Sequence, residues 1–305
     1  MISVIICTYN RKASLHRTLS SLAGMEVPES LPWELLIVDN NSTDGTREVV
    51  TEFSEKLHGR YIFEGKQGKS HALNRGLKEA KGDIIALTDD DVIVDKNWIK
   101  NIYKVFQEDD ISCIGGKILP HWEKSRPAWL HGDFLLDILA LVDLGSESKK
   151  LTKPIIWGAN MAMKYSMFEK YGYFDTTLGH HKGKTYGSED TKMVQTLLSG
   201  GETVLYCPDV LVYHCIPENR LKKSHFRKWV YEKGELAAIQ LGPYTKRNIL
   251  GIPLYIFKEV LVDGIKYLGK QIASPAKAFN AQLALLQKIG FLLGRARFGH
   301  RFKSR

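Results

Sequence analysis

Ile84-Ile85-Ala86-Leu87-Thr88-Asp89-Asp90-Asp91 is the stretch on which the reading of this chain turns. The run 84–87 is short and apolar, with Gly82 just before it, as expected of a strand buried on both faces. Three carboxylates then stand where that strand meets its loop. In an open α/β sheet this is the edge at which ligands bind. Adjacent carboxylates resist joint ionisation unless a cation joins them. Mg2+ or Mn2+, shared between carboxylate and a ligand's phosphate oxygens, meets that demand. A solvated acidic turn would explain an isolated Asp pair. Three acids directly after a buried strand favour a metal–phosphate site.

Working outward, the first half alternates strand and helix. A strand is expected over 4–7, then a helix capped by Asn10 and running to about Leu22, with Leu15, Leu19 and Leu22 on one face. A second strand over 35–38 ends in Asp39, and the polar run 40–45 leads to a helix with Val49, Val50, Phe53 and Leu57 inward. A third strand over 60–63 precedes a loop holding Gly65, Lys66, Gly68 and Lys69, and a helix over 71–80. Units of this length argue for a parallel sheet covered on both faces. Thr8-Tyr9-Asn10-Arg11, Asp39, Lys66 and the acidic triplet then follow four successive strands. One edge gathers carboxylates for a base and ribose, cations for phosphate, and a metal site.

The 305 residues are 44% hydrophobic, enough for one large or two smaller cores. Cys7, Cys113, Cys207 and Cys215 lack metal-ligand spacing; the first two read as buried thiols, and nothing points to an oxidising compartment. The first strand starts too close to Met1 for a signal peptide, and no apolar run is long enough to span a bilayer. A cytoplasmic location, peripheral on the inner membrane face, is expected. From Arg220 onward the chain carries 18 Lys+Arg against 4 Asp+Glu, a balance of +14, whereas the residues before it balance to −5. The basic part calls for an anionic partner.

The motifs resemble family 2 glycosyltransferases of the GT-A fold: Thr8-Tyr9-Asn10-Arg11, the run from Val38-Asp39 to Asp44-Gly45, Ala72-Leu73-Asn74-Arg75-Gly76, and Thr88-Asp89-Asp90-Asp91. The likeness continues through Gly187-Ser188-Glu189-Asp190 and Tyr206-Cys207-Pro208-Asp209 to His214, covering roughly 2–235. It implies a GT-A, mainly parallel sheet flanked by helices over 1–235 and a helical basic extension over 236–305. It implies an inverting, metal-dependent transfer of a sugar from a nucleotide-diphosphate donor to a hydroxyl acceptor, in cell-surface polysaccharide or glycolipid synthesis. Thr8 and Asp39 would hold the nucleoside, with Asn10, Arg11, Lys66, Asn74, Asp89 and Asp90 around the nucleotide-sugar. Asp91 would bind Mg2+ or Mn2+, with Asp89 and His214 beside it. Asp190 would be the base. Asp39 suits UDP or dTDP rather than GDP.

Inverting transfer needs a base for the acceptor hydroxyl and charge stabilisation on the departing diphosphate. Glu189-Asp190 precedes Met193, Val194, Leu197 and Leu198, the spacing of a helix ending at Gly200-Gly201. At a helix N-terminus the dipole favours the ionised carboxylate, with or without a catalytic part. The preceding Gly-rich loop 183–187 favours catalysis. The stretch 155–160 reads as a strand entering a close backbone approach. Trp157, Gly158 and Asn160, with Glu189, are candidate acceptor or donor-sugar contacts, although Trp157 better suits a core. Residues 120–153, with Trp122, Trp129 and His131, suit an acceptor lid or a packed loop, and His180 and His181 flank the active-site loop.

Competing classes fare less well. Gly68-Lys69-Ser70 imitates a P-loop, but the required first glycine is Phe63. The Asp-x-Asp of haloacid-dehalogenase phosphatases belongs to a first strand, and here three strands precede it. A basic nucleic-acid-binding protein leaves the acidic edge without a role, so no nucleic-acid partner is expected; a metal-dependent sugar-nucleotide phosphohydrolase is the other alternative. The apolar segments 252–268 and 281–293 among the C-terminal lysines and arginines suit either a membrane surface near a lipid-linked acceptor or packing and homodimerisation. In the first, Ile256, Val260, Leu261, Ile265 and Leu268 would share one face.

Overall fold

The computed structural model describes residues 1–108, 110–178, 187–241, 247–249 and 251–298. Strand and helix alternate from the start: β1 (Ile2–Thr8), α1 (Lys12–Leu22), β2 (Trp33–Asp39), α2 (Thr46–Leu57), β3 (Gly59–Phe63), α3 (Lys69–Glu79) and β4 (Ile84–Asp89). Next come β5 (Val92–Val94), α4 (Trp98–Val105), β6 (Cys113–Trp122), α5 (Asp133–Ile138), β7 (Lys149–Lys150), β8 (Asn160–Lys164), α6 (Tyr165–Tyr171), α7 (Glu189–Ser199) and β9 (Val204–Ile216). The last part holds α8 (Lys223–Gln240), the hairpin strands β10 (Asn248–Ile249) and β11 (Ile252–Pro253), α9 (Leu254–Ala273) and α10 (Pro275–Phe298).

Two compact units result. Within the described residues, the first comprises 1–123, 139–178 and 187–216, and the second comprises 124–138 and 217–298. The boundary expected after residue 235 falls inside α8, which runs unbroken through it.

In the first unit the strand order is β3-β2-β1-β4-β8-β6-β9-β5, with β7 also beside β9. The first four strands are parallel, β8 runs antiparallel to β4 and β6, and β6 is parallel to β9. β1 and β2 read as near-continuous apolar runs because helices cover both faces, and their side chains are almost all buried. α1 buries Leu15, Leu19 and Leu22, and α3 buries Ala72, Leu73 and Leu77. β2 and β4 occupy opposite edges of β1. The strand order reverses there, so the chain opens a crevice beyond the carboxyl ends of β1 and β4.

Local chemistry departs from the sequence reading in a few places. Asn10 does not cap α1. It sits in the left-handed region at φ 51°, which Asn tolerates, and its Oδ1 accepts a hydrogen bond from Thr43 N at 2.7 Å. Asp44, from the loop after β2, supplies the cap by accepting from Lys12 N at 2.9 Å. Val49 and Phe53 are half-buried, leaving Thr46, Val50 and Leu57 as the inward side of α2. The strand expected over 155–160 begins only at Asn160.

In the second unit α8 packs closely on α10. A Cβ on Gly290 would lie 2.1 Å from Tyr231 O, and one on Gly234 would lie 2.0 Å from Gln287 O, so only glycine lets these backbones meet. Trp129 sets its edge against Phe226 and Phe279, with centroids 5.2 and 5.1 Å away. This part of the stretch read as lid or loop is thus packed in an aromatic cluster. The face expected along 252–268 splits: Ile256 is buried, whereas Leu261, Ile265 and Leu268 are exposed. Among the described residues no helix is long and apolar enough to cross a membrane.

Candidate active site

The loops after β1 and β2 are knitted into one shelf. Asp39, buried at the end of β2, accepts from Ser42 N at 2.9 Å on one oxygen and from the Tyr61 hydroxyl at 2.7 Å on the other. Burial and this bond push the Tyr61 phenol up to about 12. Asn10 N donates to Ser42 Oγ at 2.9 Å. Asn40 donates to the Glu64 and Lys66 carbonyls and accepts from Gly68 N, fastening the loop before α3. Lys66 is exposed in that loop.

At the end of β4, Asp90 and Asp91 are buried and share one cation. Arg11 Nη1 lies 2.9 Å from Asp90 Oδ1 and 2.9 Å from Asp91 Oδ2. Thr8 Oγ1 donates to Asp90 Oδ2 at 2.8 Å. Burial raises the Asp90 carboxyl to about 6 against the pull of Arg11. The register of β5 on β9 sets His214 opposite Val92, one residue after Asp91. His214 Nε2 then stands 3.4 Å from Asp91 Oδ1. Its Nδ1 is 2.8 Å from the Leu139 carbonyl, which only accepts, so Nδ1 carries the proton and Nε2 faces the carboxylate.

A second cluster lines a cavity with Lys69, Asp89, Gly158, Phe174, Glu189 and Asp190. α7 begins at Glu189, and both acids are buried in its first turn. Asp190 Oδ2 accepts from Gly158 N at 2.9 Å, and Oδ1 from Thr191 N at 2.7 Å. Lys69 Nζ is 2.6 Å from Asp89 Oδ1 and 3.9 Å from Glu189 Oε1. Burial opposes the Lys69 charge, but Asp89 and Glu189 reverse this and hold the ammonium above its ordinary range. Glu189 is 3% exposed, and among the described residues its Oε2 has no hydrogen-bond partner. Burial, then Asp190, pushes its carboxyl up to about 7.

Two candidates move from ligand contact to framework. Asn160 is 1% exposed and donates to the Lys117 and Val210 carbonyls while accepting from Trp98 Nε1. The two donations use both of its amide protons, leaving none for a sugar. Gly116 makes room for it, since a Cβ there would come 2.1 Å from Asn160 Nδ2. Asn74 spends its amide on the backbone of Phe174, donating to the carbonyl and accepting from the N–H. Trp157 is half-buried, and Gly158, beside it, lines the cavity. His180, His181 and residues 183–186 of the Gly-rich loop lie outside the described residues. Lys69 was missing from the sequence-derived set. The signal was its place between Gly68 and a helix, set aside with the rejected P-loop.

The model of the family described as Glycosyl transferase family 2 matches residues 3–172. Among curated proteins, the succinoglycan biosynthesis protein ExoM of Rhizobium meliloti is 25% identical over 77% of this chain and 73% of its own length. Among solved structures, the mannosyltransferase PcManGT from Pyrobaculum calidifontis, in complex with GDP-Man and Mn2+, aligns at TM-score 0.61 and 18% identity over 99% of this chain and 88% of its own. S. aureus TarS 1-349 in complex with UDP aligns at TM-score 0.55 and 15% identity over 98% of this chain and 91% of its own. The mostly parallel, helix-flanked sheet is of the GT-A type.

Proposed function

Because the chain belongs to glycosyl transferase family 2, we propose that it moves a sugar from a nucleotide-diphosphate donor to a hydroxyl acceptor with inversion, using Asp190 as the base. The observation that carries this reading is the Asp190 carboxylate in the cavity. It is buried at a helix N-terminus, oriented by Gly158 N, and beside Glu189 with its unsatisfied oxygen. Asp190 takes the proton of the acceptor hydroxyl as that oxygen attacks the anomeric carbon. A single displacement without a covalent sugar intermediate inverts the configuration. Glu189 Oε2 accepts a hydrogen bond from a sugar hydroxyl, which removes the cost of its lone burial. Lys69 places a buried positive charge beside Asp89 and Glu189. The shelf of Thr8, Asn10 and Asp39 receives the nucleoside, and Arg11 and Lys66 supply positive charge to the diphosphate. Asp39 as the acceptor for a base N–H favours UDP or dTDP over GDP.

The donor set at Asp91 fits a divalent cation. His214 presents Nε2 toward the carboxylate with its other nitrogen engaged, the second-shell pattern of a metal-ligating histidine. No group of three His, Cys, Asp or Glu side chains is arranged for a metal among the described residues. Asp91 and His214 would therefore hold Mg2+ or Mn2+ together with ligand phosphate and water oxygens. Bound there, the ion supplies Lewis-acid stabilisation of the departing diphosphate. The Mn2+ in the complex of the mannosyltransferase neighbour supports this reading. Polysaccharide synthesis is supported by the succinoglycan relative, and a lipid-linked glycan is the acceptor in this reading.

The test is Asp190→Asn, assayed with a panel of nucleotide-diphospho-sugars. Donor affinity should be retained while turnover falls by roughly 10²–10⁴-fold, the usual worth of a general base. NMR of the wild-type product should show the inverted anomer. Retained turnover in the variant, or a retained anomer, would falsify the assignment.

A further inference from the structure

Along α9, Leu254, Phe257, Leu261, Ile265, Leu268 and Ile272 recur at three- or four-residue steps, which places them in one stripe. These side chains are 42, 39, 65, 63, 63 and 88% exposed, whereas Ile256 on the opposite side is 4% exposed. The stripe spans eighteen residue steps, about 27 Å of helix. Single exposed leucines are ordinary; a continuous apolar stripe of this length marks an interaction surface.

Charge on α9 is sorted as well. Its two acids are matched to lysines: Glu259 pairs with Lys288 of α10, and Asp263 lies 3.6 Å from Lys266. Lys258, Lys266 and Lys270 are all exposed. Lys258 directly borders the stripe, and Tyr255 stands exposed on the same flank. The outer side of α9 thus offers hydrocarbon flanked by the Lys258 ammonium, whereas Lys266, paired with Asp263, and Lys270 lie round the helix on the side of Ile256. The chain from Arg220 onward balances to +14, so a second copy would add like charge, whereas an anionic surface with an apolar interior complements both features at once.

We propose that α9 docks on an anionic lipid bilayer, lying in its plane with the stripe in the headgroup–acyl boundary and Lys258 at lipid phosphates. It lies on the bilayer rather than crossing it, since no described helix is long and apolar enough to span. The purpose of docking rests on the glycosyltransfer reading, because it brings the enzyme to a lipid-linked acceptor. The docking itself is measured without donor or acceptor, so either reading can fail alone.

The experiment is co-sedimentation of the full chain with vesicles of phosphatidylglycerol and phosphatidylcholine, or of phosphatidylcholine alone. Binding is expected to the anionic vesicles and to fall steeply in about 1 M salt, where screening reaches roughly 3 Å. Leu261→Gln, Ile265→Gln and Leu268→Gln together should lower the partition coefficient roughly a hundredfold while leaving circular dichroism and Tm unchanged, because all three are exposed. Lys258→Gln should lower it about fivefold on anionic vesicles only. Equal soluble fractions with and without vesicles overturn the proposal. So does full binding by the triple glutamine variant, or a dimer lost in that variant when neither form binds vesicles.

Discussion

Asp90 and Asp91 stand beyond β4 with Arg11 across both carboxylates and Thr8 and His214 on their far oxygens. Glu189 and Asp190 open α7 with Lys69 nearby and one buried oxygen still bare. The two clusters hold similar groups in similar burial. In the first, internal partners reach every acid, and its geometry is set before any ligand arrives. In the second, the Lys69 ammonium lies closer to Asp89 than to Glu189, so the pair beside it keeps an unmet demand for a donor. A buried carboxylate oxygen without a partner costs about 1–3 kcal/mol. Such a cost at a cavity wall has a use if a substrate hydroxyl removes it. The comparison teaches that the first cluster is organised for holding and the second for reacting.

The largest expected effect comes from breaking the holding cluster. Asp91→Ala should weaken Mn2+-dependent binding of a nucleoside diphosphate roughly a thousandfold, about 4 kcal/mol, in titration calorimetry. Equal affinity with and without Mn2+ in the wild type would remove Asp91 from the metal assignment. Lys69→Met comes next, because it leaves Asp89 and Glu189 without their shared cation. Urea unfolding at pH 8 should show a loss of about 3 kcal/mol. An unchanged midpoint would mean that the lysine contributes nothing to the reacting cluster.

Glu189→Gln sharpens the contrast with a smaller change of opposite sign. The folded-state carboxyl titrates at about 7 against an ordinary 4.5, so the folded chain holds this proton more tightly than the unfolded one. The group's contribution is therefore fully present below about pH 4.5 and is lost as pH rises through 7. Glutamine stays neutral throughout. The variant should thus gain about 2 kcal/mol over wild type at pH 8, show little gain near pH 4, and lose transfer activity. A difference in Tm that does not grow between these pH values would contradict the account of Glu189.

Local pattern was enough to reveal the first four strands, their intervening helices and the edge at which Thr8, Asp39 and the acidic triplet gather. The reason is that buried parallel strands must be apolar along their whole length, and the polar residue ending each run is then unmistakable. The same holds for α7, whose apolar spacing announces both the helix and the two acids at its start. What pattern does not encode is the partner of each polar group. Asn160 and Asn74 looked available for sugar and nucleotide, yet their amides are committed to carbonyls and an N–H contributed by distant segments. Lys69 gains its place only because α3 begins opposite Asp89 and Glu189. His214 meets Asp91 through the pairing of β5 with β9, more than a hundred residues apart in sequence. On α9 the period showed an amphipathic helix, but which side meets α10 and which meets solvent followed from packing. Apolar periodicity is a local property written in consecutive residues; hydrogen-bond partnership and exposure are properties of whatever the folded chain brings alongside, and only the tertiary structure decided them.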